Sequence, residues 1–484
     1  MFRMNRAAVA AATIIAAMAM TARADNTRYT NTITKNLTFR GGKVSIEHRF
    51  GNIVLRTHSG NAVNVHATIR ASSDEIGRAI SVSATESAGG VSIVTHYPEM
   101  HNRGGEISYS VDYDIETPAN APLVIRNRFG NIDVAGLRAA GDINNAMGQI
   151  TFRDGSGRQE IENSFGAIEV ANSGGDTIIR NQNGAVRAAH IEGNLNLSNR
   201  FGNVVVTDGE RSVSISNANG SVDLRGVTGS ATITNSFATV TVRDVKSNLS
   251  INNQNGSVEV ENAGATSIHN SFASVKAQNI GGPITIAAQN SKVEVVSVRG
   301  SATIATSFNT LGIRDVGGAA ILKNENGNVF ARDVHGDLNV DTRFGLVNAE
   351  HIRGLADIDN ANGNVTLNDI DGRAKVHTSF GSVFLKDIGG AIDVDNQNGA
   401  ITVGALTAGR CHDITLRTNF SSIKVGIPEG GYNVSARTSF GSITSALPIT
   451  TTSASSESIT GTINGGGCKL DLATANGNIT IERD

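Results

Sequence analysis

The chain contains no tryptophan, and only 5 tyrosines, 6 prolines and 2 cysteines among 484 residues. Those shortages exclude a large aromatic core. With 54 glycines, they suit many short turns and small side chains instead. Between residues 123 and 431 tyrosine and tryptophan are missing altogether, which removes the platforms favoured for stacking sugars. Charge of one sign is lacking too. With 41 basic against 44 acidic residues there is no cationic footprint of the kind nucleic acid requires. The longest apolar run, Ala7 to Met20, is too short to span a membrane, which takes about 20 residues.

That run has another use. Arg3 and Arg6 precede it and Ala22-Arg23-Ala24 follows it, the arrangement of an export signal cleaved after Ala24. Losing residues 1–24 moves the formal charge from −3 to −6. No cysteine follows the cleavage site to carry a lipid, and the C-terminus shows no apolar tail or sorting signal. The expected destination is the periplasm, the cell envelope or the exterior. In an oxidising compartment Cys411 and Cys468 form either a disulfide or two unrelated thiols.

What the sequence does have is a period. Asparagine recurs every 18 residues at Asn127, Asn145, Asn163, Asn181, Asn199, Asn217, Asn235 and Asn253, then at Asn270 after a 17-residue interval. Two positions after each comes Phe or Asn (Met once), usually followed by Gly, as in NRFGNIDV from Asn127 and NQNGSVEV from Asn253. With that Phe or Asn as position zero, the series runs from Phe129 to Asn398 in 16 successive rungs, and Phe and Asn alternate from Phe165 onward. Such a period marks a solenoid, whose repeats stack and do not fold alone.

Apolar residues fall at positions three and five, as in Val204 and Val206, and again at twelve and fourteen, as in Leu195 and Leu197. Spacing by two places each pair on one face of a strand. Each rung therefore holds two short strands joined by two turns. An antiparallel meander gives no reason for one side chain to recur every 18 residues, whereas parallel stacking brings the copies into contact. The predicted fold is all-β: a single-stranded parallel β-helix of 18-residue rungs, roughly 75 Å long at about 4.8 Å per rung, with the right-handed form preferred. Its divisions are a signal peptide at 1–24, a β-rich capping region at 25–122 with a short helix near Ser73 to Ile80, the regular solenoid at 123–403, and looser rungs at 404–484. Within the last, the Ser/Thr/Gly-rich stretch 449–467 reads as a flexible loop before a final strand.

Stacked asparagine amides are expected to donate and accept along their column, satisfying polar groups at a bend. Each phenylalanine is expected to fill the corner of the core. The other arrangement is an outward stripe of rings about 9.6 Å apart, two strand rises, available to a partner. Seven residues after position zero, Asp315, Asp333, His351, Asp369 and Asp387 fall on consecutive rungs. Carboxylates so close repel, so they are turn residues or a weak cation column of Asp315, Asp333, Asp369 and Asp387, which calcium would suit. No cofactor is expected.

Taken together, the early FGNIVL segment, the stretch Pro118, Asn120, Pro122, Leu123 and the N-x-[FN]-G-x-[VI] series resemble the bacterial adhesin family of β-helical repeat domains, largely a domain of unknown function. The resemblance implies binding at a surface and assigns no catalytic residue. The expected function is a non-catalytic, exported, rigid binding surface for a polymer or protein. A self-assembling envelope component and a polysaccharide-active β-helix enzyme are the alternatives. Constant rung length leaves no long loops to wall an active-site groove, so no enzyme is expected.

Overall fold

A computed structural model describes residues 27–99, 107–406 and 411–484. The expected signal segment lies outside these residues. The described chain is a β-solenoid of stacked parallel strands in two sheets. The front sheet holds strands such as Leu195–Phe201, and the back sheet strands such as Val204–Gly209. Register is one rung per pairing: Leu195 lies on Val213, Asn199 on Asn217, and Val204 on Val222. Asn163, Asn181 and Asn199 are therefore direct neighbours in one column.

Alternation puts Leu195 and Leu197 of the front strand, and Val204 and Val206 of the back strand, into a dry core. A third back-strand column is also buried, and the pattern of pairs gave no sign of it: Ile191, Val227, Val245 and their successors, eight residues after position zero. Its cause is the residue before it. Asp154, His190, Asp208, Asp244, Asp333 and Asp369 all adopt φ between 53° and 59°, a left-handed bend that Asp, Asn and His tolerate best among residues with a Cβ. The bend resets the in–out alternation, so the next side chain points inward. The 17-residue interval is absorbed in a turn. Three residues separate Val245 from Leu249, but only two separate Ala263 from Thr266, and Asn253 still pairs with Asn270.

At both ends the rungs leave sequence order. Strands Lys43–Glu47 and Ile53–His58 form a rung directly beneath Leu123–Phe129 and Ile132–Ala135. Their other edges are covered by Gly90–His96 and Tyr109–Pro118, which come later in the chain. Antiparallel strands Ala62–Ala71, Tyr29–Thr38 and Ser81–Ser87 close this end. The helix Asp74–Ala79 is capped by Ser73, whose Oγ accepts from the Ile76 N–H at 3.3 Å.

At the other end, Cys468–Ala473 slides between Ile414–Thr418 and Tyr432–Arg437, and Ile479–Arg483 between Ile423–Ile427 and Ile443–Ser445. The Ser/Thr-rich stretch is not the flexible loop its composition suggested. Thr450–Ala454 and Ser458–Ile463 make an antiparallel hairpin on Tyr432–Arg437. Threonine suits a strand, and SITGTI alternates.

The N-terminal end holds a buried histidine. His48 Nδ1 lies 3.0 Å from Thr95 Oγ1 and 3.3 Å from the Tyr97 hydroxyl, and Thr95 is 2.5 Å from the Tyr113 hydroxyl. Burial pushes its pKa down to about 4, against a smaller pull upward from neighbouring backbone groups and Asp112. A folded pKa below the unfolded value of 6.5 means the unfolded chain takes up the proton first. Stability is thus full above pH 6.5 and falls as pH drops toward 4, by about 3 kcal/mol in all. Urea unfolding of this end, followed by tyrosine fluorescence at pH 7 and pH 4, should show the drop, and His48→Gln should remove it. An unchanged midpoint in the native protein would mean that His48 is solvated.

Candidate functional site

The corner after each front strand is where the repeat places its largest exposed side chains. Along Leu195–Phe201 the side chains alternate as far as Asn199, which points inward and is almost wholly buried. The Asn199 amide fills the inside of the corner and donates to the Gly202 carbonyl at 3.0 Å. No room is left for a ring, so Phe201 turns outward. The same holds up the stack. Phe165, Phe237, Phe272, Phe308, Phe344 and Phe380 are each about half exposed, and Phe380 reaches 54 %. The expectation that these rings fill the core is overturned. They form an outward stripe on alternate rungs, about 9.6 Å apart, with Asn183, Asn219, Asn255, Asn326 and Asn362 between them.

The asparagine column is present and buried, but it bonds differently from the expected side-chain ladder. Asn145 donates to the Gly130 carbonyl at 2.9 Å and Asn163 to the Gly148 carbonyl at 2.8 Å, each reaching the turn of the rung below. Asn181 and Asn217 reach both that turn and their own. These four amides thus staple successive turns through backbone carbonyls, whereas Asn199 and Asn235 donate within their own turns. Within the expected column Asn253 donates to the Asn270 Oδ1 at 3.3 Å. The Oδ1 atoms of Asn127, Asn145, Asn163, Asn181, Asn199, Asn217, Asn235 and Asn253 have no protein donor. The turn glycine stays close to the rung below. Gly166 has φ 131°, and a Cβ there would lie 2.1 Å from the Gly148 oxygen.

At its start the phenylalanine stripe is already covered by the protein's own rings. Phe50 stacks on Phe129 at 5.1 Å with an interplanar angle of 4°. Tyr97 and Tyr109 meet Phe50 edge-on at 5.3 and 5.2 Å. Arg128 lies over Phe129, and Arg200 over Phe201, each 5.5 Å from the ring centre. Where the chain supplies partners, these rings take aromatic and cationic contacts on face and edge.

The acidic column sits at the opposite corner, at the left-handed bends. Asp315 accepts from the Ser297 hydroxyl at 2.9 Å, and Asp387 lies 3.4 Å from Lys386 Nζ. His351 bridges Asp333 at 3.0 Å and Asp369 at 3.7 Å. The four aspartates therefore meet hydroxyl, ammonium and imidazole groups, not one another. Among the described residues no three of His, Cys, Asp or Glu converge as metal ligands would. Backbone geometry accounts for the residue types here. Cys411 and Cys468 are joined in a disulfide, and no helix among the described residues is long and apolar enough to cross a membrane.

Comparison with known proteins agrees with the adhesin resemblance over part of the length. Residues 318–482 match the model of the Toastrack family, DUF4097. A crystal structure of a presumed cell adhesion protein from Clostridium sporogenes aligns with 43 % of this chain and 100 % of its own, at 11 % identity and a TM-score of 0.25. That score is too low to support any conclusion about fold or role. No curated protein matches the chain.

Proposed function

We propose that the chain is an exported, non-catalytic rod that binds a repeating partner along its phenylalanine corner, in the manner of an adhesin. The observation that carries this reading is the outward turn of the rings. Half-exposed phenylalanines on alternate rungs are costly to leave in water, and a soluble protein rarely keeps so long a stripe without a use. Each contact alone is weak. A rigid stack holds many at fixed spacing, so a partner of matching period gains by multivalency what no single pocket provides. The export part of the reading rests on the N-terminal sequence and on the disulfide, which persists in oxidising compartments.

End-to-end assembly is less favoured. At the C-terminal end the outermost strand of the front sheet, Thr450–Ala454, carries a register shift between Thr451 and Ser453, and a bulge of that sort discourages further strand addition on that sheet. The test is a column-wide change of Phe201, Phe237, Phe272, Phe308 and Phe344 to Ser. On glycan and matrix-protein arrays, binding by the native rod should fall at least about tenfold, with far-UV circular dichroism unchanged. Equal binding by both proteins, or none by either, sinks the reading.

A further inference from the structure

One stretch of the front sheet differs from the rest in charge. From Val213–Asn219 to Ala302–Phe308, six rungs in succession, the outward positions carry Ser, Thr, Asn, Gln, Ala and a single histidine, His269. None carries Lys, Arg, Asp or Glu. Arg200 bounds the stretch on one side, and the Lys323–Asp341 ion pair, 3.6 Å apart, on the other. An open hollow of about 500 Å³ lined by Ala287 and Ala305 starts within it and runs on to the next rungs, where Lys323, Glu325, Asp341 and Arg343 line it. Phe237, Phe272 and Phe308 stand along its edge on alternate rungs, about half exposed.

We propose that this strip binds a neutral, extended, β-1,4-linked glycan lying parallel to the rod, an inference that rests on the binding role argued above. The chemistry of the strip selects the ligand. A charged polymer would find no counter-charge on the outward positions of these six front strands. An apolar protein face would strip water from hydroxyls and amides and return no hydrogen bonds, which is costly. A sugar chain has both faces that are needed: its C–H faces lie against aromatic rings, and its hydroxyls meet Ser, Thr and Asn. Phenylalanine has no polar handle of its own, so neighbouring residues must supply the hydrogen bonds, and the strip does so. The period also fits. Rings two rungs apart repeat about every 9.6 Å, close to one disaccharide of an extended β-1,4 chain, with the Asn255 and Asn290 rungs facing the alternate sugar.

Calorimetric titration of the whole protein with β-1,4-linked N-acetylglucosamine and glucose oligomers tests this. The hexamer, long enough to reach more than one ring, should bind at least about tenfold more tightly than the dimer. A triple change, F237S/F272S/F308S, should weaken hexamer binding by about tenfold or more, and Thr234→Lys should weaken it without touching a ring. F344S/F380S, outside the strip, should leave it unchanged, as should an α-1,4-linked glucan added as competitor. Equal loss on F344S/F380S overturns the strip assignment. No hexamer binding, with array binding still dependent on the phenylalanines, overturns the glycan and leaves the binding rod standing. A concentration-dependent dimer abolished by the triple change, without glycan binding, gives the strip to a second copy of the chain. If neither glycan nor array binds, both readings fall together.

Discussion

Asn163→Asp is expected to cost about 3–5 kcal/mol at pH 7, the scale of a buried charge left without a partner. Asn163 is 1 % exposed, and its amide donates to the Gly148 carbonyl at 2.8 Å. A carboxylate there would turn a hydrogen bond into a repulsion between two oxygens, in a corner that water does not reach. Burial would raise the folded pKa of the new acid above its unfolded value of about 3.9. The penalty is therefore complete above the folded pKa and fades as pH falls toward 4, where the protonated acid can again donate to Gly148. Comparison with the native protein at each pH cancels the separate effect of His48. Hydrogen exchange at Ile161 and Ile179, the core residues paired on neighbouring rungs, gives a local reading in a repeat protein that need not unfold as one unit. Asn163→Thr is the control. Thr306 and Thr418 occupy equivalent corners and donate to the Ser291 and Gly399 carbonyls, so this change should be far milder. Native-like exchange in Asn163→Asp at pH 7 would show that the column is wet.

The stack itself was legible because it is local and repetitive. An 18-residue period names its own register, and paired apolar residues name the strands. The phenylalanines were misread because alternation along the strand, carried past Asn199, puts Phe201 inside. The clue was two residues earlier: the inside of the corner already holds the asparagine amide, and a ring and an amide cannot both occupy it. The third buried column was missed for a related reason, since period-two counting fails across a left-handed bend such as Asp208. The end rungs were hidden differently. Nothing local says that Lys43–Glu47 lies beneath Leu123–Phe129, or that Cys468–Ala473 enters between two earlier strands. Those pairings join residues 36 to 79 positions apart and repeat nothing. The binding strip on the front sheet was concealed by composition, because its hydroxyl residues are unremarkable one at a time. Their meaning appears only when six rungs stand side by side without a charge.

The disulfide should control how firmly the C-terminal coils hold. Cys411 and Cys468 are 57 positions apart, and closing a loop of that length removes about 4 kcal/mol of unfolded-chain freedom in the chain-entropy model. Its position concentrates the effect. Cys468 begins the strand that slides between Ile414–Thr418 and Tyr432–Arg437, and Cys411 lies just before the first of these. The bond fixes the entry of a strand whose register no repeat enforces. Asp484, at the far end of the same rung, adds a second tie by accepting from the Ala405 and Leu406 N–H groups. Reduction, or Cys411→Ser with Cys468→Ser, should speed exchange at Ile414, Ile423 and Ile479 by several hundredfold, about 4 kcal/mol. Val204 and Val222, in the middle of the rod, should keep native protection, because each rung contacts only its neighbours. Equal protection at Ile414 with and without the bond would mean that the threaded strand holds itself. The export reading would then keep its N-terminal sequence and lose its structural support. A large, local loss would instead mean that these coils close fully only where thiols are oxidised, which is outside the cytosol.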